Sequence, residues 1–300
     1  VRVLVTGAGG YVGSAVVLAL VAAGHEPIAM VRGDSADAPA GVEVRVADLG
    51  DSPSLSAAVV GTEAVCHLAG LTRARDSWDR PLDYFATNVG GLVELLRALH
   101  SSPVTTFVLA STGAIYGTPD RQPISEDLPD APMTPYASSK AAAESVLGWE
   151  AARRGLAAVS LRLFNVAGRA DPDPTRVVPR VLAARATARE FTVNGDGTVV
   201  RDYLHVDDAA EAFVAALEHP PPPGAMRKYN IGNGNGASIL DLVAAVEKVT
   251  GHAVELRHAP PAQEPQSLVC DRRRAAEDLH WVPRKSDLAT IVRDAWGACG

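Results

Sequence analysis

The stretch "VLVTGAGGYVG", residues 3–13, decides how the rest of the chain is read. It opens on a compact apolar run of the kind that fills a buried parallel strand. Gly7, Gly10 and Gly13 follow, and an apolar helix is predicted from Tyr11 to about Ala23. A glycine turn between strand and helix lets backbone N–H groups approach a pyrophosphate, and the helix N-terminus adds donors and its dipole. The segment therefore predicts a dinucleotide site, although G-x-x-G-x-x-G departs from the G-x-G-x-x-G of the dehydrogenase fingerprint.

Outward from this loop the chain alternates. "EPIAMV", "VEVRVA", "EAVCHL", "TFVLAS" and "LAAVSLRLF" read as further buried strands, and "YFATNVGGLVELLRALH" and "SSKAAAESVLGWEAARR" read as helices. Repeated strand–helix units imply an α/β fold with a doubly wound parallel (Rossmann) sheet. After about Phe164 the pattern changes to shorter elements separated by the polar loop "GRADPDPTR" and the proline-rich "HPPPPGAM". A helix is expected near Val177–Ala188, a strand pair from "EFTVNG" and "RDYLHV", and helices near Ser238–Thr250 and Asp287–Trp296. The expected organisation is a dinucleotide-binding domain over 1–164, rejoined by about 200–217, with 165–300 mainly a smaller α/β substrate-binding lobe.

The composition narrows the function classes. Hydrophobic residues make up 47% and charged residues 21%, an ordinary globular balance. The net charge of −7 gives no general basis for binding nucleic acid or an anionic membrane, and the one basic cluster, Arg272–Arg274, reads as the start of a solvated helix. "AVVLALVAA" is too short to span a bilayer. Cys66, Cys270 and Cys299 are odd in number and far apart, so neither a disulfide framework nor a metal site is expected. Free thiols and a start without a leader pattern lead to a cytoplasmic expectation.

Two segments supply candidate chemistry. "TPYASSK" sets Tyr136 and Lys140 four residues apart, on one helical face. A phenol is a poor base near neutrality, but a neighbouring ammonium and an oxidised nicotinamide both favour its phenolate. "LASTGAIYG" places Ser111 and Thr112 at the end of the fifth strand, where ligands gather in open α/β sheets and a hydroxyl can hold a reacting oxygen. Asp48 follows the third strand, where a carboxylate can accept from adenine, and Ala69 and Gly70 end the fourth, where a backbone can pass close to a ligand. At the end of the second strand, where an acid normally grips the 2′-OH of NAD, Val31 offers none. Arg32 can face a 2′-phosphate, stack on adenine or point into solvent, so NAD and NADP both stay open, with a slight lean to NADP.

Together, Gly7/Gly10/Gly13, "HLAG", Asn88 in "NVGG", "STGAIYG", "PYASSK", "LRLFNVAG" and "RDYLHVDD" resemble the extended short-chain dehydrogenase/reductases of the NAD-dependent epimerase/dehydratase family, and most closely its UDP-glucose 4-epimerase-like nucleotide-sugar enzymes. The resemblance runs over almost the whole chain. It implies a tightly bound nicotinamide cofactor, a nucleoside-diphosphate sugar in the cleft, and 4-epimerisation through a 4-keto intermediate. Tyr136 would exchange the sugar hydroxyl proton, Lys140 would hold the nicotinamide ribose, and Thr112 would share the hydroxyl's hydrogen bond. Cofactor contacts are implied for Tyr11, Val12, Leu49, Leu68, Ser111 and Phe164, with Asn88 as a relay behind the site. Asn165 and Arg201 are implied to meet the diphosphate, with Tyr203 on the same wall. A homodimer built on helices near 83–100 and 135–153 is implied as well.

Two departures stand out. Family members commonly carry a second phosphate-binding Arg where this chain has Pro261, and Arg180 or Arg272 are the candidates to compensate. Gly113 and Ala114 follow Thr112, so the acid of the family's dehydratases and decarboxylases is missing. An NADPH-consuming keto-sugar or ketone reductase is the alternative reading, and a cofactor-binding regulator without catalysis a minor one.

Overall fold

The computed structural model describes residues 1–33, 38–262 and 264–298. Its centre is a seven-stranded, wholly parallel sheet. The strands are β1 (Arg2–Thr6), β2 (Glu26–Val31), β3 (Glu43–Val46), β4 (Ala64–His67), β5 (Thr106–Thr112), β6 (Ala157–Leu163) and, after a long excursion, β10 (Met226–Ile231). Their order is β10-β6-β5-β4-β1-β2-β3. The order reverses between β1 and β4, which is the switch point where such sheets bind ligands at their strand C-termini. β1, β4 and β5 read as near-continuous apolar runs because both their faces are covered.

One face of the sheet packs on α1 (Tyr11–Ala22) and α7 (Val206–Glu218), with Val16, Leu20 and Phe213 excluded from solvent. The other face packs on α2 (Ser52–Ala58), α4 (Gly91–Ala98) and α5 (Pro135–Arg154), through Leu55, Leu92, Leu95 and Leu147. α5 is bounded as its sequence dictates. Thr134 caps it by accepting from the Ala137 amide, Pro135 sits in its first turn, and Gly155 ends it at φ 76°.

The stretch expected as one helix over 84–100 is interrupted. α3 (Pro81–Phe85) and α4 are joined by a π turn over Ala86–Gly90, which carries Asn88. A π turn adds one residue to a single turn, a change too local for periodicity read over several turns to reveal.

Beyond β6 the chain builds smaller elements. β9 (Val200–His205) pairs with β7 (Asn165–Ala167), β11 (Gly236–Ser238) and β13 (Ser267–Leu268), while β8 (Phe191–Asn194) pairs with β12 (Leu256–Ala259). The expected pairing of "EFTVNG" with "RDYLHV" is thus incorrect, because each segment takes a more distant partner. α6 (Val177–Ala186), α8 (Ile239–Thr250) and α10 (Leu288–Gly297) close a separate apolar cluster around Leu182, Tyr203 and Leu242. α9 (Arg273–Asp278) begins at the basic cluster, and Arg274 there is paired to Asp127 and Glu126. Cys66 and Cys270 are free thiols, and Cys299 lies outside the described residues.

Candidate active site

The loop after β1 is shaped by steric need. Gly7 has φ +69°, and a Cβ there would fall 2.8 Å from the Ala69 amide nitrogen at the end of β4. A Cβ on Gly13 would fall 2.0 Å from the Gly7 carbonyl, so the first turn of α1 can lie against the loop only without one. Thr6 fastens the two strand ends, since its Oγ1 bonds His67 Nδ1 at 2.8 Å and accepts from the Ala69 amide at 3.1 Å. The buried His67 is pushed down to about 3, by its burial first and then by the charge of Lys140, so it is neutral.

A cavity of about 1600 Å³ starts at this loop and runs along the C-terminal edge of the sheet to the smaller elements. Gly7, Gly10, Tyr11, Val12, Gly13, Arg32, Asp48, Leu49, Leu68, Ala69 and Gly70 all line it, as do Ser111, Thr112, Tyr136, Lys140, Phe164, Asn165, Arg201 and Tyr203. Residues far apart in the chain are therefore brought to one surface. A glycine cradle that a Cβ would fill, opening on a long cavity at the switch point, fits a dinucleotide. Val31 is buried, Arg32 is exposed, and Asp48 holds the Gly50 amide at 2.7 Å. Asn88 stays just behind the wall, where it accepts from the Leu71 amide at 2.8 Å and donates to the Ser139 hydroxyl at 2.9 Å.

Tyr136 stands in the first turn of α5, and it lines the same cavity as Thr112 at the end of β5. Burial pushes the phenol up from its ordinary value, while the neighbouring Thr112 hydroxyl and the charge of Arg176 pull it back. The edge of Tyr84 packs on the Tyr136 ring, with centroids 6.2 Å apart. Lys140, one turn along, donates from Nζ to the Ala110 carbonyl at 3.0 Å. Desolvation lowers its amine to about 8, opposed by the charge of Glu144.

The hydroxyl pair divides. Thr112 faces the cavity and the phenol, whereas Ser111 donates to Glu144 at 2.6 Å. Sequence reading missed Glu144, although its i, i+4 spacing from Lys140 places it on the same helical face.

On the far side, Arg201 does not pair with Asp202 or Asp207. It donates to Glu264 at 2.5 Å and to the Pro265 and Val200 carbonyls at 2.9 and 2.8 Å. Asp202 is buried on the amides of Asn233, Gly234 and Cys270, and Asp207 pairs with Arg169 and Lys285. Asn165 donates to the Asp202 carbonyl at 3.2 Å. The Tyr203 hydroxyl is buried on this wall with no protein partner among the described residues. Of the two candidates to compensate for Pro261, Arg180 lines the cavity, while Arg272 is tied to the Asn233 carbonyl at 2.9 Å. Among the described residues no cluster of His, Cys, Asp and Glu could hold a metal ion.

Comparison with known proteins points the same way as this geometry. A UDP-glucose 4-epimerase of Streptomyces lividans is 39% identical over 98% of this chain and 95% of its own length. One of Corynebacterium glutamicum is 36% identical over 98% and 94%. Among solved structures, a Stenotrophomonas maltophila UDP-glucose-4-epimerase with bound NAD and formylated UDP-arabinopyranose superposes with a TM-score of 0.92 at 31% identity, covering 99% of this chain and 97% of that one. A Brucella ovis UDP-glucose 4-epimerase in complex with NAD gives 0.92 at 32%, with the same coverage. Residues 3–232, which carry both the glycine cradle and the Thr112–Tyr136–Lys140 site, match the family described as the NAD dependent epimerase/dehydratase family, and the chain belongs to it.

Proposed function

We propose that this protein is a nucleotide-sugar 4-epimerase that works on a nucleoside-diphosphate hexose with resident NAD. The observation that carries the reading is the convergence of Thr112, Tyr136 and Lys140 on one cavity that is continuous with the glycine cradle. The family and the relatives named above support it.

The bound nicotinamide supplies a reversible hydride acceptor. The residues of the chain handle the proton and the positions. Tyr136 takes the proton of the sugar 4-hydroxyl and returns it to the 4-keto oxygen after the sugar has turned, and Thr112 holds that oxygen in both orientations. A basic phenol requires its anion to be favoured, and burial does the opposite. Lys140, and the positive charge that an oxidised nicotinamide would bring, would favour the phenolate. Gly113 and Ala114 leave no acid beside Thr112, which disfavours elimination. Asn165, Arg201 and Tyr203 form the wall toward the diphosphate.

NAD is favoured over NADP. The solved relatives named above bind NAD, which removes the support for a lean to NADP. Val31 offers the ribose no carboxylate, and Arg32 then acts as a rim residue beside the adenosine. A homodimer through α3, α4 and α5 fits the exposed Leu82, Phe85 and Trp149. No helix among the described residues is long and apolar enough to cross a membrane, and a cytoplasmic site suits the buried free thiols. The substrate-binding role of residues 165–300 belongs to the same reading.

The test is the protein as purified. Release of bound nucleotide by denaturation should yield NAD, and the native protein should interconvert UDP-glucose and UDP-galactose with no net change in reduced-nicotinamide absorbance. Stoichiometric NADPH consumption would instead establish a reductase.

A further inference from the structure

Among the guanidinium groups that line the cavity, Arg176, Arg180 and Arg201 come from the elements that follow β6. They differ in how far the protein already satisfies them. Arg201 makes three bonds at 2.5 to 2.9 Å, and the carboxylate of Glu264 matches its charge. Arg176 makes one hydrogen bond among the described residues, to Asp171 at 3.4 Å, and lies 3.9 Å from Asp173. Asp173 is meanwhile served by Arg73 at 3.1 Å and by the amide and hydroxyl of Thr175 at 3.0 and 2.6 Å. Arg180 also makes one, to the Thr192 carbonyl at 3.4 Å, with its guanidinium 5.3 Å over the Phe191 ring. A guanidinium carries five donors, so both side chains keep most of their fork for whatever enters the cavity.

Their positions are ordered along it. Arg176 caps α6 and lies 5.7 Å over the Tyr11 ring, at the end where its charge reaches Tyr136. Arg180 falls in the first turn of α6, beside β8, which pairs with β12. Arg176, the extended residue just before α6, and Arg180 stand four positions apart at the N-terminal end of that helix. The Tyr11 and Phe191 rings give the two guanidinium groups cation–π contacts that use none of their donors.

We infer that Arg176 and Arg180 form an anion-binding pair, which holds charged oxygens of the substrate between the reacting hydroxyl and the β8 end of the cavity. The inference rests on the nucleotide-sugar reading. In such a substrate the diphosphate lies between the sugar and the nucleoside, the interval these two side chains span. A sugar carboxylate would arrive at the Arg176 end instead. Both groups present the oxygen pairs that a guanidinium fork engages.

The test is calorimetric titration of the NAD-loaded protein with UDP, UDP-glucose and UDP-glucuronate. Wild type is compared with Arg176→Met and Arg180→Met, and thermal melting verifies the fold of each. Arg→Lys variants at both positions keep the charge and lose the fork. The expected result is a Kd raised about tenfold or more by each Met variant, with a smaller loss for Lys. A loss of equal size for UDP and UDP-glucose assigns the diphosphate. A loss confined to UDP-glucuronate in Arg176→Met assigns a sugar carboxylate to that side chain. Wild-type affinity for all three ligands in folded Met variants overturns the pair and leaves the epimerase reading intact. Failure of wild type to bind any of the three defeats that reading, and the pair falls with it.

Discussion

The Glu144 carboxylate and the Arg162 guanidinium meet at 2.7 and 3.0 Å in the interior, one helical turn beyond Lys140. The same carboxylate accepts from Ser111 and Ser160 at 2.6 and 2.8 Å, and Lys228 lies 3.2 Å away. Burial alone would raise the Glu144 pKa, but the hydrogen bonds and charge of Arg162 outweigh it and hold the carboxyl below its usual range. Ser111 adjoins Thr112, so this ion pair also fixes the end of β5 against α5. Removing one partner leaves a buried charge. Arg162→Met should therefore cost about 3 to 5 kcal/mol in chemical denaturation, and Glu144→Leu combined with it should recover part of the loss. Equal stability of Arg162→Met and wild type would show that the pair does not anchor the strand.

Lys140 makes a prediction with a definite sign. Its amine is lowered from 10.5 to about 8 in the folded protein, chiefly by desolvation. The unfolded chain then binds more protons than the folded one between about pH 8 and 10.5, and stability tied to this group rises with pH across that window. That stability is lost as the pH falls through about 8. Lys140→Met should stabilise the cofactor-free protein near pH 7 by on the order of 3 kcal/mol, with the gain gone by about pH 10.5. Denaturant melts of both proteins at the two pH values measure this. The same variant should lose turnover.

Glu264 neutralises Arg201 in the structure and adds a negative charge near the proposed path of the diphosphate. Because the pair is partly exposed, its own strength is modest, on the order of 1 kcal/mol or less. Glu264→Gln should therefore tighten UDP binding by roughly two- to fivefold while leaving the melting temperature nearly unchanged. Weaker binding would mean that Glu264 contacts the nucleotide directly rather than competing for Arg201.

Much of the fold was legible because its signals are local. Apolar runs broken by glycine and followed by helical patterns suffice to order six strands of a doubly wound sheet, and i, i+4 spacing suffices to align Tyr136 with Lys140. What stayed hidden depends on partners distant in sequence. β10 returns to the main sheet from beyond residue 225, and nothing in "MRKYNI" names β6 as its neighbour. The pairing of β8 with β12, rather than with β9, is of the same kind. Arg176 ends a segment rich in Asp and Pro that reads as an exposed loop, and only the packing of α6 turns it into the cavity. The commitment of Ser111 to Glu144 shows the remaining limit, since a strand end tells which residues are near a site but not which way adjacent hydroxyls point.

The central claim is that Tyr136 carries the proton of the reacting hydroxyl, and turnover of UDP-galactose to UDP-glucose by Tyr136→Phe in NAD-loaded, correctly folded protein tests it most directly. The ring keeps its packing against Tyr84, so the loss isolates the phenolic oxygen. General acid–base catalysis predicts a fall in kcat of about 100-fold or more, with KM changed much less. Turnover of the variant at the wild-type rate would contradict the account.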